Sequence, residues 1–268
     1  MLQQEADHPV PSAVGHTGQK RSLAGAALQV GGELLLTAGV VLLLFVAWQL
    51  WWTNVDADAS QRAAVRDFAH SFNGPSGPSA SGAGSTQAAD PARFGPPAVA
   101  PEPAPGTTIG VVYVPRFGAD YTRPVVQGTS SSVLDSLGLG HYPGTGMPGA
   151  AGNFALAGHR QTHGAVLDNI DTLVPGDRIY VQTREGYYTY RFRNAQIVLP
   201  TAVDVLLPVP TQPGAAPSDR YLTLTSCNPR FGSQERFVAY SVLEHWQPAA
   251  AGPPADIAAQ VARILGGG

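Results

Sequence analysis

The chain has 268 residues and a formal net charge of −3, and 44% of its residues are hydrophobic while only 13% are charged. This near-neutral balance lacks the basic excess of proteins that bind polyanions, so we expect no nucleic-acid partner. The single cysteine, Cys227, excludes an intrachain disulfide framework and metal sites with several cysteine ligands.

The first predicted element is an apolar helix at residues 34–52, which follows an N-terminal segment at residues 1–33. Its nineteen uncharged residues would cover about 29 Å at ~1.5 Å per residue, close to the thickness of the hydrocarbon core of a bilayer. Trp48, Trp51 and Trp52 at one end suit an aromatic belt at the membrane interface.

Two alternatives to a membrane anchor exist for this helix. A buried core helix is the first, and we disfavour it because most helices of a soluble domain keep a polar face and this segment has none at all. A cleaved signal peptide has an apolar region of only ~7–15 residues, although Ala57-Asp58-Ala59 resembles a cleavage site. We therefore predict an uncleaved anchor.

Charged residues do not orient this anchor in the membrane. Lys20 and Arg21 precede it, whereas Arg62 and Arg66 follow it. The positive-inside rule therefore gives no preference, and the orientation must come from other features.

Residues 53–106 separate the anchor from the rest of the chain. Residues 53–70 can continue as a short helix, but residues 71–106 consist mainly of Pro, Gly, Ala and Ser. Such a composition cannot bury a core, so we predict a disordered linker that tends towards polyproline II at APEPAP. As a random coil it would span about 33 Å on average, which suits a tether that holds a folded domain away from a membrane.

Residues 107–248 are predicted to fold as an all-β closed barrel. Short runs rich in Val, Ile, Tyr, Phe and Thr alternate there with turn residues, and few helices are indicated. The predicted strands are residues 109–115, 124–127, 153–157, 177–183, 187–199 (with a break near Asn194), 221–227 and 236–245, and the two short helices are residues 131–137 and 166–173. The tail, residues 249–268, is expected to contain a short amphipathic helix without an assigned function.

The last two predicted strands form an antiparallel hairpin around the loop NPRFGSQE, residues 228–235. A register symmetric about this loop places Cys227 opposite Arg236, with Cβ atoms about 4.5–5.5 Å apart. A thiol beside a guanidinium lies in an electropositive setting that favours the nucleophilic thiolate, and the guanidinium can hold the oxyanion of a tetrahedral intermediate. The same register pairs Leu224 with Ala239 and Leu222 with Ser241.

A cysteine nucleophile needs a general acid and base, and histidine is the usual group near neutral pH. The predicted barrel contains His141, His159, His163 and His245. We favour His159 because it follows the apolar run NFALAG at a strand end, which is a common place for a catalytic side chain.

His159 and His163 also have the spacing of two metal ligands on one helix face. Gly158 and Gly164 make a helix unfavourable there. The sequence therefore predicts no metal site.

Three motifs together resemble the signature of the sortases, which are membrane-anchored cysteine transpeptidases of Gram-positive bacteria. They are NFALAGHR (153–160), TLTSC (223–227) and Arg236, nine residues after the cysteine. The stretch HYPGTGMPGAAGNFALAGHR (141–160), with Asn228-Pro229 after the cysteine, is most similar to the class E sortases of actinobacteria. Ser226 stands where the family pattern T-L-x-T-C has threonine, a change that concerns local packing more than chemistry.

The resemblance implies an eight-stranded barrel that acts through a thioester and needs no cofactor. Cys227 would attack the Thr–Gly bond of a surface protein's C-terminal sorting signal, which is LAxTG-like or LPxTG-like. His159 would protonate the leaving amine, and Arg236 would stabilise the oxyanion or position the substrate. A second amine, from a lipid II-type peptidoglycan precursor or another protein, would resolve the intermediate.

The resemblance also implies a location and an orientation. The protein would cross the plasma membrane once, with its N-terminus in the cytoplasm and the barrel outside.

Three further residues are candidates for substrate or oxyanion contacts. Thr225 and Ser226 directly precede the cysteine, and His141 begins the stretch that leads to His159. For Thr225 and Ser226 the alternative is a purely structural role in the strand, and for His141 it is a role in a turn.

Two other functions remain open at this stage. An L,D-transpeptidase is a second wall-active cysteine enzyme, but that class resembles a Ser-x-Gly-Cys pattern, whereas Thr-Ser precedes the cysteine here. A tethered binding module without catalysis is the third possibility, and it leaves the three catalytic side-chain types unexplained.

Overall fold

The computed structural model describes residues 23–71 and 94–266. It divides into two units, with the boundary between Trp48 and Gln49. Helix α1 (Leu23–His70) begins in the first unit and ends in the second. The N-terminal segment before it and most of the predicted linker lie outside the described residues.

The first unit consists of the apolar part of α1. Within the described ranges, one helix is long and apolar enough to cross a membrane by its length and composition. Its most apolar stretch is entirely unburied, and large side chains such as Leu35 and Leu43 are exposed. This exposure is unlike that of a core helix and fits the predicted anchor.

The second unit contains the last turns of α1, which pack on the outside of a barrel. One helix face, with residues three or four apart, is buried: Ala57, Gln61, Val65 and Phe68. Val65 and Phe68 share an apolar cluster with side chains of the barrel wall and of the C-terminal helix α3 (Ala255–Gly266). The helix expected at residues 53–70 is therefore present, and it contacts the barrel directly, before the linker begins.

Truncation of this buried face should destabilise the second unit. We expect Phe68→Ala to lower the free energy of unfolding by about 3 kcal/mol, because the side chain is 6% exposed and its removal leaves a cavity. Chemical denaturation of the full chain in detergent micelles measures the change. Arg62→Ala, on the exposed face of the same helix, should stay within about 0.5 kcal/mol of the parent. A loss no larger for Phe68→Ala than for this control would show that the helix end is not packed.

The barrel has eight strands, which confirms the predicted fold class. They close in the order β1-β2-β3-β4-β7-β8-β6-β5. Helix α2 (Ser131–Leu134) lies between β2 and β3. The strands are β1 (Thr108–Tyr113), β2 (Thr122–Gln127), β3 (Leu139–His141), β4 (Gly152–Ala157), β5 (Arg178–Gln182), β6 (Gly186–Val198), β7 (Arg220–Asn228) and β8 (Glu235–Pro248).

Several predicted elements differ from the observed ones. Strand β3 was missed because only three residues pair, and the central one is a glycine. The helix predicted at residues 166–173 is reduced to a 3-10 turn at Ile170–Thr172. Strand β6 does not break near Asn194, but its pairing with β8 shifts register between Phe192 and Asn194, as in a β-bulge.

Residues 94–106 lie against the barrel, which corrects the prediction of disorder for this end of the linker. Phe94 and Ala98 pack on the core. The indole of Trp246 donates a hydrogen bond to the carbonyl of Gly95 (2.9 Å), and the hydroxyl of Tyr188 donates to the carbonyl of Ala98 (2.5 Å). Backbone carbonyls of a proline-rich segment thus serve as acceptors for two buried aromatic donors, a role that composition alone does not reveal.

Candidate active site

Strands β7 and β8 place a thiol beside a guanidinium. The pairing has the register predicted from the symmetric loop, so Cys227 lies opposite Arg236. Leu222 and Leu224 are completely buried in the core, so the alternating residues Thr223, Thr225 and Cys227 lie on the outer face of the sheet. Cys227 is a free, half-buried thiol at the edge of that face.

Strand β4 brings His159 to the other side of the thiol. It runs parallel to β7, and its last pair is Ala157 with Thr225. The amide of Gly158 donates to the carbonyl of Thr225 (3.1 Å), which carries the pairing one step further. His159 comes two residues after the end of β4, so alternation from Ala157 assigns it to the outer face near the end of β7. Strand β4, which precedes His159, and strand β8, which carries Arg236, are the two neighbours of β7.

The ring of His159 is held by a carboxylate that the sequence analysis did not identify. Its Nε2 lies 2.7 Å from Oδ1 of Asp135, the residue that ends α2. Both side chains are partly exposed, at 28% and 39%. A carboxylate on one imidazole nitrogen fixes the ring orientation and leaves the other nitrogen for proton exchange. No spacing signal in the sequence connects Asp135 with His159, because strands β3 and β4 lie between them.

Arg236 is held through backbone carbonyls of its own loop. Its Nη1 donates to the carbonyls of Ser233 (2.9 Å) and Glu235 (2.8 Å). The carboxylate of Glu235 in turn accepts a hydrogen bond from Nδ2 of Asn228 (2.7 Å). These contacts use one amino group of the fork, and the guanidinium carries further donors that can reach a substrate oxygen.

Arg160 is a second residue of the site that sequence reasoning missed. Its side chain is 3% exposed, and it forms an ion pair with Asp171 at 2.7 Å. Its Nη1 donates to Oδ1 of Asn228 (2.8 Å) and approaches the carbonyl of Cys227 (3.5 Å). The guanidinium also lies over the ring of Phe237, 5.6 Å from its centre. Arg160 therefore anchors the end of β7, where the thiol is attached.

Thr225 and Ser226 lie beside the thiol but on opposite faces of the strand. The hydroxyl of Thr225 is 2.9 Å from that of Tyr142 on the outer face. The hydroxyl of Ser226 donates to the carbonyl of Gly158 (2.8 Å) and so ties β7 to the residue before His159. A threonine in place of Ser226 would supply the same hydroxyl, which explains why serine can stand at this position.

His141 is fully buried next to β2, away from solvent. Its Nδ1 lies 2.7 Å from Oε1 of Gln127, and its Nε2 lies 3.0 Å from the carbonyl of Gly146. Burial lowers the pKa of His141, although the Gly146 carbonyl and the charge of Glu102 act in the opposite direction. The structure therefore separates His141 from the outer face that carries Cys227.

The buried state of His141 predicts a pH dependence of stability. Above the pKa of an unfolded histidine, ~6.5, the ring is neutral in both states and contributes no pH dependence. Below it, the unfolded chain binds a proton that the folded chain resists, so the free energy of unfolding falls until the lowered folded pKa is reached.

An NMR titration of the His141 ring in the full chain in detergent micelles measures this effect. We expect a midpoint below ~6.5. A midpoint at or above ~6.5 would contradict the assigned effect of burial.

Known proteins are similar to this chain over the barrel and beyond it. The family model that matches is the sortase domain, over residues 112–244. Sortase SrtE1 of Streptomyces coelicolor is 36% identical over 244 residues, which cover 88% of this chain and 62% of the relative. The chain thus spans less than two thirds of that relative. Sortase SrtE2 of the same organism is 34% identical over 254 residues, which cover 89% of this chain and 91% of the relative.

Solved structures match the barrel in the same way. The SrtA sortase from Actinomyces oris is 38% identical, with a TM-score of 0.59, and the match covers 61% of this chain and 94% of that one. Sortase E1 from Streptomyces coelicolor, solved with a tripeptide in the active site, is also 38% identical. Its TM-score is 0.53, and the match covers 57% of this chain and 98% of that one.

Proposed function

Because the chain belongs to the sortase family of cysteine transpeptidases, we propose that it cuts an LAxTG-like or LPxTG-like sorting signal between Thr and Gly through a thioester on Cys227. The observation that carries this proposal is the strand register: Cys227 pairs with Arg236, and the strand that leads to His159 pairs with the other side of β7. The tripeptide in the active site of the related Streptomyces sortase E1 supports a peptide substrate.

The first half of the reaction forms the thioester. The Cys227 thiolate attacks the threonine carbonyl, and the resulting oxyanion accepts hydrogen bonds from Arg236. When the intermediate collapses, the C–N bond to glycine breaks and His159 donates a proton to the leaving amine. Asp135 and Arg160 act on this step indirectly, because they hold the His159 ring and the end of β7.

The second half of the reaction transfers the acyl group to an amine. We propose a lipid II-type peptidoglycan precursor as the donor of that amine, with surface proteins bearing sorting signals as substrates. His159 accepts a proton from the attacking amine, and the C–S bond breaks to regenerate the thiolate. We propose that Thr225 shapes the floor of the substrate groove, whereas Ser226 and His141 act by supporting the strands.

The proposed setting is the plasma membrane. The apolar part of α1 would cross it once, with the N-terminus in the cytoplasm and the barrel outside. An outside location supplies the sorting signals and wall precursors that this reaction needs.

Mass spectrometry of the covalent adduct tests the proposal. The full chain in detergent micelles is incubated with a library of xAxTG and xPxTG peptides, and the intact mass is measured. We expect an acyl adduct that ends at threonine, located on Cys227 and absent from Cys227→Ala. Adduct formation with peptidoglycan tetrapeptide stems alone would instead identify an L,D-transpeptidase. If no peptide forms an adduct, the transpeptidase proposal fails and a binding module without catalysis is favoured.

A further inference from the structure

Three side chains of metal-ligand type converge beside the proposed nucleophile. They are Asp135 at the end of α2, His159 after β4, and His163 in the loop that follows. One donor atom from each side chain lies within 4.8 Å of the other two. Sequence reasoning rejected His159 and His163 as a metal pair because no helix could present them. A loop brings their rings together instead, with centres 5.0 Å apart.

The distances between the donor atoms suit a tetrahedral ion. Zinc binds imidazole nitrogen and carboxylate oxygen at about 2.0–2.2 Å, so neighbouring ligand atoms lie about 3.3–3.5 Å apart. Oδ1 of Asp135 lies 2.7 Å from Nε2 of His159 and 3.9 Å from Nδ1 of His163. These two separations bracket the required value, and the donor atoms of the two histidines also lie within 4.8 Å of each other. All three side chains are partly exposed, between 28% and 39%, which leaves a path for the ion and room for water as a fourth ligand.

The loop that carries His163 is held in place from the α1 side. His163 and Ala165 have positive φ angles of 54° and 44°, which are unusual for residues other than glycine. The side-chain amide of Gln61 donates to the carbonyl of His163 (3.2 Å), and the amide of Gly164 donates to Oδ1 of Asn54 (2.9 Å). Gln61 is itself buried. The His163 ring is therefore kept beside His159 by contacts outside the reacting groups.

We propose that Asp135, His159 and His163 form a site for a divalent transition metal of zinc-like ligand preference, and that the bound ion inhibits the enzyme. The metal would take the lone pair of His159 Nε2, so the remaining ring proton would sit on Nδ1. A ring in that state has no free lone pair, so it cannot accept a proton from Cys227 or from an amine, and it cannot become the imidazolium that protonates the leaving amine. The inhibition rests on the proposed function, whereas the metal binding does not.

Calorimetric titration with zinc tests the site without any enzyme assay. The protein is the full-length Cys227→Ala variant in detergent micelles, which removes the thiolate as a competing ligand. We expect one saturable site that weakens at least tenfold in Cys227→Ala/His163→Gln and in Cys227→Ala/Asp135→Asn. In the control variant Cys227→Ala/His70→Gln, the histidine removed is exposed and is not one of the three proposed ligands. This variant should bind zinc with the same affinity as Cys227→Ala. Equal affinity in the His163 and His70 variants would overturn the proposal.

Inhibition is then measured with the native cysteine. Zinc should block cleavage of a sorting peptide by the parent protein at the concentrations that fill the site, and EDTA should restore it. His163→Gln should cleave normally without zinc and need at least tenfold more zinc for inhibition. Equal zinc sensitivity of parent and His163→Gln would show that the ion acts on the thiolate, which overturns the proposed inhibition. If the zinc-free parent cleaves no sorting peptide, the proposed function fails, while the calorimetry still decides the metal site.

Discussion

Cys227→Ala is expected to lower the rate of sorting-peptide cleavage by at least about 10⁴-fold, because the chain contains no other thiol that could form the thioester. The side chain is half-buried at the end of a strand, forms no disulfide, and lies outside the apolar core cluster of the described barrel. Its loss should therefore leave the unfolding midpoint almost unchanged. Peptide cleavage and chemical denaturation, both on the full chain in detergent micelles, measure the two effects.

Ser226→Ala is the matched control for this experiment. Ser226 is the neighbouring residue, but its hydroxyl donates to the Gly158 carbonyl on the other face of the strand. Its removal leaves a buried acceptor without that donor, which should cost about 1–2 kcal/mol of stability. The two substitutions therefore have opposite profiles, since one removes activity and the other mainly stability. Cleavage by Cys227→Ala at a rate near that of the parent would rule out the thioester mechanism.

The parts of the site that the sequence predicts are those governed by local pairing. The loop between β7 and β8 is short, so a symmetric register sufficed to place Cys227 opposite Arg236, and the observed pairs match. His159 was located from its position after an apolar run. Its side of the sheet then followed from the parallel pairing of β4 with β7, which only the structure supplies.

Asp135 and Arg160 could not be found in this way, because their roles depend on contacts between distant segments. Asp135 reaches His159 from the end of a single helical turn, and nothing in the residues around it singles out its carboxylate. Arg160 is buried with its charge balanced by Asp171, which lies beyond the loop that follows β4. Long-range ion pairs of this kind leave no periodic signal in the sequence.

The packing of α1 on the barrel was hidden for a related reason. The buried face of residues 57–68 contains only two large apolar side chains, Val65 and Phe68, and it also includes Gln61. An amphipathic pattern this weak is indistinguishable from that of a solvated helix. Gln61 of this face and Asn54, one turn before it, hydrogen-bond to backbone groups of the His163 loop, so their fit becomes visible only when that loop is in place.

Arg236→Ala is expected to reduce kcat by about 10²–10³-fold, the usual loss when one oxyanion donor is removed. Its Nη1 is bound to the carbonyls of Ser233 and Glu235, so the guanidinium is already oriented before substrate arrives. Arg236→Lys should recover only part of the rate, because an ammonium is a single point charge and cannot bond the loop and the oxyanion as a planar fork does. Steady-state cleavage of the sorting peptide measures both variants.

The division of the effect between kcat and KM distinguishes the two roles assigned to Arg236. Loss of an interaction made only with the oxyanion lowers kcat and leaves KM unchanged, whereas loss of an interaction with the ground-state peptide raises KM. Arg230→Ala is the control, because Arg230 lies in the same loop, is exposed, and pairs with Asp168 on the surface. A loss of activity in Arg230→Ala equal to that in Arg236→Ala would mean that loop charge, rather than a donor aimed at the reacting carbonyl, supports the reaction.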